Sequence, residues 1–248
     1  MTIGAQLYTV RQFTKTPEAI RETFRKIAEI GYREIQVSAF GSISHEQLKE
    51  YADESGLSVV LTHIPQERLL SDLDDVIYQH KLWGTKYVGI GSMPDKYRGS
   101  LAGVREFIKT FRPVAQRLES AGLHFEYHNH DFEFLKDGES RLFDVLAGEF
   151  PETGFILDTY WLQHAGCDAA ETLSRLSGRV PCIHLKDMAW DVKPIMAPVG
   201  EGNMNFTAIY AAAEKAGTEH MLVEQDECRC DAFDALKISF CNLKKAGF

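Results

Sequence analysis

Residues 86–128 read KYVGIGSMPDKYRGSLAGVREFIKTFRPVAQRLESAGLHFEYH. The stretch opens on a short β-branched and aromatic run. Val104, Phe107, Ile108 and Phe111 then recur at helical period, and Ala121-Gly122 supplies the glycine that closes a helix before a second strand-like run starts at Leu123. The predicted unit is strand, helix, strand. The same unit recurs on either side, with strand-like runs beginning near Ile3, Glu34, Ser58, Gly154, Pro181 and His220. Glycines follow Ile30, Ser55, Trp83 and Ala216 where intervening helices should end. Eight strand-then-helix units at a spacing of about 31 residues predict a closed (β/α)8 barrel, one domain over residues 1–248. A doubly wound sheet seldom needs eight regular units. The pairs Gly89-Ile90-Gly91 and Gly200-Glu201-Gly202 lack the third glycine of a dinucleotide fingerprint and read as turns.

The composition, 44% hydrophobic and 25% charged, suits one sizeable core. A formal net charge of -9 would repel a polyanion, so nucleic acid is not expected as a partner. Five cysteines form no disulfide framework, and Cys228-Arg229-Cys230 lacks the second half of a thiolate metal site. With no basic leader and no apolar run of about 18 residues, the chain is expected to be cytoplasmic and to avoid membranes.

In such a barrel the chemistry sits at the C-terminal ends of the strands. The later strand-like runs end in HFEYHNHDFEF, ILDTYW, CIHLKD and LVEQDE, which offer Glu126 or Glu133, then Asp158, His184 and Glu224. Taken singly, Asp158 could cap a helix, His184 could be a core histidine, and the glutamates could face solvent. Four consecutive strand ends of this kind favour a shared role. Neighbouring strands lie about 4.8 Å apart, so three carboxylates there would repel one another unless a divalent cation joined them. Three carboxylates and one imidazole suit Mn²⁺ or Mg²⁺, with Zn²⁺, Co²⁺ or Fe²⁺ also compatible. Gln6, Tyr8, His63, His128, His130 and Lys186 surround the set as candidate substrate contacts, and Gln36 on strand two lies near it.

The segments IGAQLYTVR, YHNHDFEF, LDTYWLQHAG, HLKDM, APVGEGNMNF and VEQDE together resemble the xylose-isomerase-like sugar phosphate isomerase/epimerase superfamily of TIM barrels. The resemblance covers nearly the whole chain. By likeness to the ketose 3-epimerases it implies a metal held by Glu133, Asp158, His184 and Glu224, with Glu133 preferred to Glu126. It also implies a small sugar as substrate and a homodimer. Trp161 stands where those epimerases carry a substrate-binding histidine, with His164 further on. The implied chemistry is isomerisation or epimerisation of a ketose or keto sugar through a metal-stabilised enediolate, with Glu133 and Glu224 as acid and base on opposite faces. The alternative is a metal-dependent lyase or dehydratase of a 3-keto sugar or keto-inositol. Asp226, Glu227 and Asp231 would oppose a dianion, and Glu201 lies between Gly200 and Gly202, so the substrate is expected to be uncharged despite the phosphate in the superfamily's name.

Overall fold

Eight of the strand-like runs form parallel strands, and these close on themselves in the computed structural model, which describes residues 1–248. They are β1 (Thr2–Gln6), β2 (Glu34–Val37), β3 (Ser58–His63), β4 (Tyr87–Ile90), β5 (His124–His128), β6 (Thr153–Asp158), β7 (Cys182–Leu185) and β8 (His220–Val223). Each strand pairs with its neighbours in chain order, and β1 pairs with β8 through Thr2 opposite His220. Helices such as Pro17–Ile30 and Leu101–Ser120 return the chain between strands along the outside. Several end on a left-handed glycine, as at Gly84 (φ 73°) and Gly217 (φ 81°), where a side chain would be strained. No helix is long and apolar enough to cross a membrane, and all five cysteines are unpaired.

The period of two along each strand assigns every side chain to one of two cores. On β5, Phe125 stacks on Phe111 and Tyr127 meets Phe107 edge-on, so both face the helices. Glu126 and His128 therefore face the barrel axis. On β6, β7 and β8 the outward residues Phe155, Leu157, Ile183, Leu185, Met221 and Val223 join the large core under the helices. Ile156, Cys182 and Leu222 point inward and form a small apolar plug with Leu61 and Tyr87. The next inward position on each strand lies above that plug, at the barrel mouth. Those positions hold His128, Asp158, His184 and Glu224.

Two hairpins decorate the mouth beyond the repeating units: Lys136–Asp137 with Ser140–Arg141, and Asp187–Asp191 with Lys193–Ala197. The second carries the chain from β7 into the glycine pair at Gly200 and Gly202. Gly89 lies within β4 rather than in a turn.

Candidate metal centre and active site

His128, Asp158, His184 and Glu224 are all buried, and each offers one ligand atom within 4.8 Å of the others. The connections of each side chain leave one atom free for the shared centre. Asp158 Oδ1 caps the helix that follows β6 by accepting from the Trp161 N–H at 3.0 Å, so Oδ2 is the oxygen left to face inward. Both readings of this aspartate, cap and ligand, hold at once.

The two imidazoles are set by their far nitrogens. His128 Nδ1 lies 2.9 Å from the carbonyl of Gly91, and His184 Nε2 lies 2.7 Å from Gln36 Oε1. A carbonyl only accepts, so each far nitrogen carries the proton and each near nitrogen of a neutral ring presents a lone pair to the centre. His128 Nε2 then faces Asp158 Oδ2 at 3.1 Å, and His184 Nδ1 faces Glu224 Oε2 at 2.8 Å. The last two atoms are close yet poorly aligned for a hydrogen bond with each other; His184 Nδ1 is buried with no hydrogen bond, and the buried Glu224 Oε2 has the Lys186 ammonium 2.9 Å away. A histidine lone pair aimed at a carboxylate calls for a cation between them, either a proton or a metal ion. The donor set of two imidazoles and two carboxylates fits a divalent ion.

A buried lysine brings positive charge to the same carboxylates. Lys186 is 1% exposed, and its Nζ lies 3.0 Å from Asp158 Oδ2, 2.9 Å from Glu224 Oε2 and 2.9 Å from Asp226 Oδ2. Burial, the largest single influence, would raise the pKa of Asp158 and Glu224, but Lys186 together with His128 and His184 outweighs it and holds both carboxyls well below their usual range. Burial likewise opposes protonation of His184, and the Glu224 and Asp158 carboxylates overcome it, raising its pKa. Metal binding would displace that proton.

Glu133, expected as the ligand from strand five and as one of two catalytic glutamates, does not reach the centre. It sits in a short turn at Phe132–Phe134, where its carboxylate accepts from the Tyr127 hydroxyl and, at 2.8 Å, from the His130 N–H. Tyr127 is an outward residue of β5, so Glu133 lies behind the strand and braces the His130 loop. Burial pushes its pKa up to about 7. Glu126 is inward but one layer too deep. It is 2% exposed, its Oε2 has no partner, and burial raises its pKa well above the usual carboxylate range. His128, expected only as a substrate contact, stands in the cluster where a strand-five glutamate was expected, and the alternation along β5, which puts it two residues after the inward Glu126, is the signal by which the sequence could have shown it.

A cavity of about 600 Å³ opens above the centre, lined among others by Tyr8, His63, His128, His130, Lys186 and Glu224. Its walls differ in chemistry. Glu224, Asp226 and Glu227 stand on the β8 side, whereas His63, His128 and His130 stand on the β3 and β5 side. His130 packs against Trp161 and Phe132, and burial lowers its pKa to about 2, keeping it neutral. Burial, with His128 and His184 next, also holds His63 well below the usual imidazole value. Of the expected substrate contacts, Gln6 does not line the cavity but supports it: its Oε1 accepts from the Tyr8 N–H at 3.1 Å. His164 pairs with Asp131 at 2.9 Å near the rim.

A family model described as xylose isomerase-like TIM barrel matches residues 24–236. The chain belongs to this family. Among solved structures, this xylose isomerase-like barrel is similar to a sugar phosphate isomerase/epimerase from Parabacteroides distasonis, with 20% identity, 99% of this chain and 94% of that one covered, and a TM-score of 0.82. It also resembles a D-allulose 3-epimerase from Methylomonas sp. at 13% identity, covering 99% and 97% of the two chains with a TM-score of 0.72. The probable 3-DHS dehydratase of petrobactin synthesis from Bacillus anthracis follows at 12% identity, 98% and 99% coverage and a TM-score of 0.75. No curated protein sequence matches the chain. At these identities the likeness establishes the fold, and the chemistry rests on the site itself.

Proposed function

We propose that this xylose isomerase-like barrel is a divalent-metal-dependent enzyme that enolises an uncharged ketose or keto sugar, working as an isomerase or epimerase. The observation that carries the reading is the buried cluster of His128, Asp158, His184 and Glu224, in which His184 Nδ1, with no hydrogen bond of its own, faces Glu224 Oε2 at 2.8 Å. An ion held by these four residues would polarise a ketone and its neighbouring hydroxyl, acidifying the carbon between them. Glu224 belongs to the cluster and also lines the cavity, which supports a role as the base in this reading. The Cα–H bond breaks, its proton passes to Glu224, and the electron pair forms the double bond of an enediolate. Return of the proton by Glu224 to the adjacent carbon on the same face gives an isomer, whereas an epimer needs a second proton delivered from the opposite face, where the wall carries imidazoles.

A neutral substrate is supported by the loop after β7. Asp187 Oδ2 accepts from the N–H groups of Gly200 and Gly202, both at 2.9 Å, while Oδ1 accepts from Met188 at 2.8 Å and Met204 at 3.3 Å. The backbone nest in which a barrel of this type would hold a phosphate is thus filled by the chain's own carboxylate. Arg11 is likewise engaged, through the carbonyls of Tyr8 and Asp226 at 3.0 and 3.1 Å.

A second reading, a lyase or dehydratase, is favoured by one feature. With Glu133 behind β5, the wall opposite Glu224 carries imidazoles and no second carboxylate. That asymmetry suits removal of a proton on one side and assistance to a departing β-hydroxyl on the other. One experiment tests both: the metal-loaded protein is incubated in D₂O with a panel of ketoses, inososes and 3-keto sugars and followed by NMR and mass spectrometry. Deuterium at the α carbon with skeleton and formula otherwise conserved supports the isomerase or epimerase; loss of water supports the second reading. No exchange with any of them would refute enolisation.

A further inference from the structure

The Gly89-Ile90-Gly91 segment is a seat for His63. A Cβ on Gly91 would come within 2.9 Å of His63 Nδ1, and one on Gly89 would meet the Thr62 carbonyl and, at 2.9 Å, Ile156 before His63 Cδ2 at 3.0 Å. Glycine at 91 lets the imidazole lie where it does, at the end of β3 and against the cavity, and glycine at 89 serves first the close approach of β3 and β4. Its ring centroid is 5.2 Å from that of His128 and 5.5 Å from that of His184, so the ring stands beside the cluster.

The proton on this ring can be placed. Gln6 Oε1 accepts from the Tyr8 N–H, which fixes the orientation of the amide and turns Nε2 toward His63 Nδ1, 3.5 Å away. An amide nitrogen only donates, so Nδ1 is the accepting nitrogen and a neutral ring carries its hydrogen on Nε2. The Ser38 hydroxyl, 3.5 Å from the same Nδ1, is able to donate to it as well. His63 Nε2 is shielded from solvent and has no hydrogen-bond partner. A buried N–H left without an acceptor is costly, and its retention calls for a function.

We propose that His63 is a catalytic residue of this site, a neutral imidazole that donates its Nε2–H to the substrate oxygen that becomes negative as the α proton leaves. The assignment rests on the enolisation reading above. As the electron pair of the C–H bond moves into the new double bond, the charge appears on the former carbonyl oxygen, and the hydrogen bond from His63 strengthens there. The proton stays on His63 throughout, so His63 is neither the acid nor the base of the step. A donor held in place beside the developing charge would act on the transition state more than on the ground state, so its loss appears in kcat.

The test compares His63→Leu, which removes the donor, with His63→Gln, whose amide restores one near the same place. The readouts are α-deuterium exchange, metal affinity by calorimetry, and the ring tautomer by ¹⁵N NMR of wild-type protein loaded with diamagnetic Mg²⁺ or Zn²⁺. The expected result is a fall in kcat on the order of 10²–10³-fold in H63L with a smaller change in KM, recovery of tenfold or more in H63Q, and unchanged metal affinity in both. His63 should show the Nε2–H tautomer. Wild-type exchange that survives H63L unchanged, an H63Q protein as slow as H63L, metal affinity lost together with the rate, or an Nδ1–H tautomer would each overturn the role. Wild-type protein that exchanges no α proton would instead remove the enolisation reading, and the role of His63 with it.

Discussion

Replacing His128 with glutamine should strip the protein of its divalent ion, whereas the same replacement at Glu133 should leave ion binding intact. Only the first residue offers a lone pair to the centre; the second is committed to Tyr127 and to the His130 backbone. Changing a group that merely orients a ligand typically weakens a metal site by about 10–100-fold, so losing a ligand should cost at least the upper figure. Wild-type protein at an ion concentration of about 100 Kd gains about 2.7 kcal/mol of stability. For a chain of this length each kcal/mol moves Tm by roughly 2–4 °C, so Mn²⁺ should raise Tm by about 5–10 °C over chelator-treated protein. At the same ion concentration H128Q would sit near its own Kd, gaining about 0.4 kcal/mol, or about 1 °C. E133Q sets an amide N–H₂ against one of two donors and should lose about 1–3 kcal/mol of baseline stability while keeping the full rise with metal. Thermal melts with and without Mn²⁺, paired with calorimetric titration, read both quantities. An H128Q protein that keeps the rise, or an E133Q protein that loses it, would refute the assignment of His128 as the β5 ligand.

Lys186→Met leaves Asp158, Glu224 and Asp226 without their shared cation, so in chelator it should lose about 3–5 kcal/mol of stability, with Mn²⁺ restoring part of it in urea melts. Burial holds the Glu133 pKa at about 7, so the folded protein keeps a proton that the unfolded chain releases. Its stabilising contribution is therefore complete below about pH 4.5 and is lost as pH rises through 7, a change of about 3 kcal/mol. The stability advantage of wild type over E133Q should shrink between pH 5 and pH 8 in urea unfolding. With Asp187 filling the backbone nest, a ketose should be turned over at least as efficiently as its phosphate ester; a much larger kcat/KM for the ester would reveal a phosphate site elsewhere.

The barrel was legible because its signal is repeated: eight apolar runs, each followed by a helix, tolerate an error at any one boundary. Asp158, His184 and Glu224 were legible because each is the last inward residue of a short strand or lies one position beyond it. Strand five misled because HFEYHNHDFEF holds two glutamates and three histidines after a single strand, and only the alternation fixed by Phe125 and Tyr127 against the helices selects His128. The part played by Gly89 and Gly91 was hidden for a different reason. Gly91 makes room for the His63 side chain and Gly89 for the Thr62 carbonyl of the neighbouring strand, relations created by the pairing of strands distant in sequence and absent from any local pattern.

Diffraction from a Mn²⁺-soaked crystal, with anomalous data collected at the manganese edge, tests the central claim most directly. The account predicts one strong peak at the mouth of the barrel, bonded to His128 Nε2, Asp158 Oδ2, His184 Nδ1 and a Glu224 carboxylate oxygen, at distances near those of oxygen and nitrogen ligands to a hard divalent ion, about 2.0–2.3 Å. A crystal that shows no peak there at saturating Mn²⁺, or a peak held instead by Glu133 or Glu126, would contradict it.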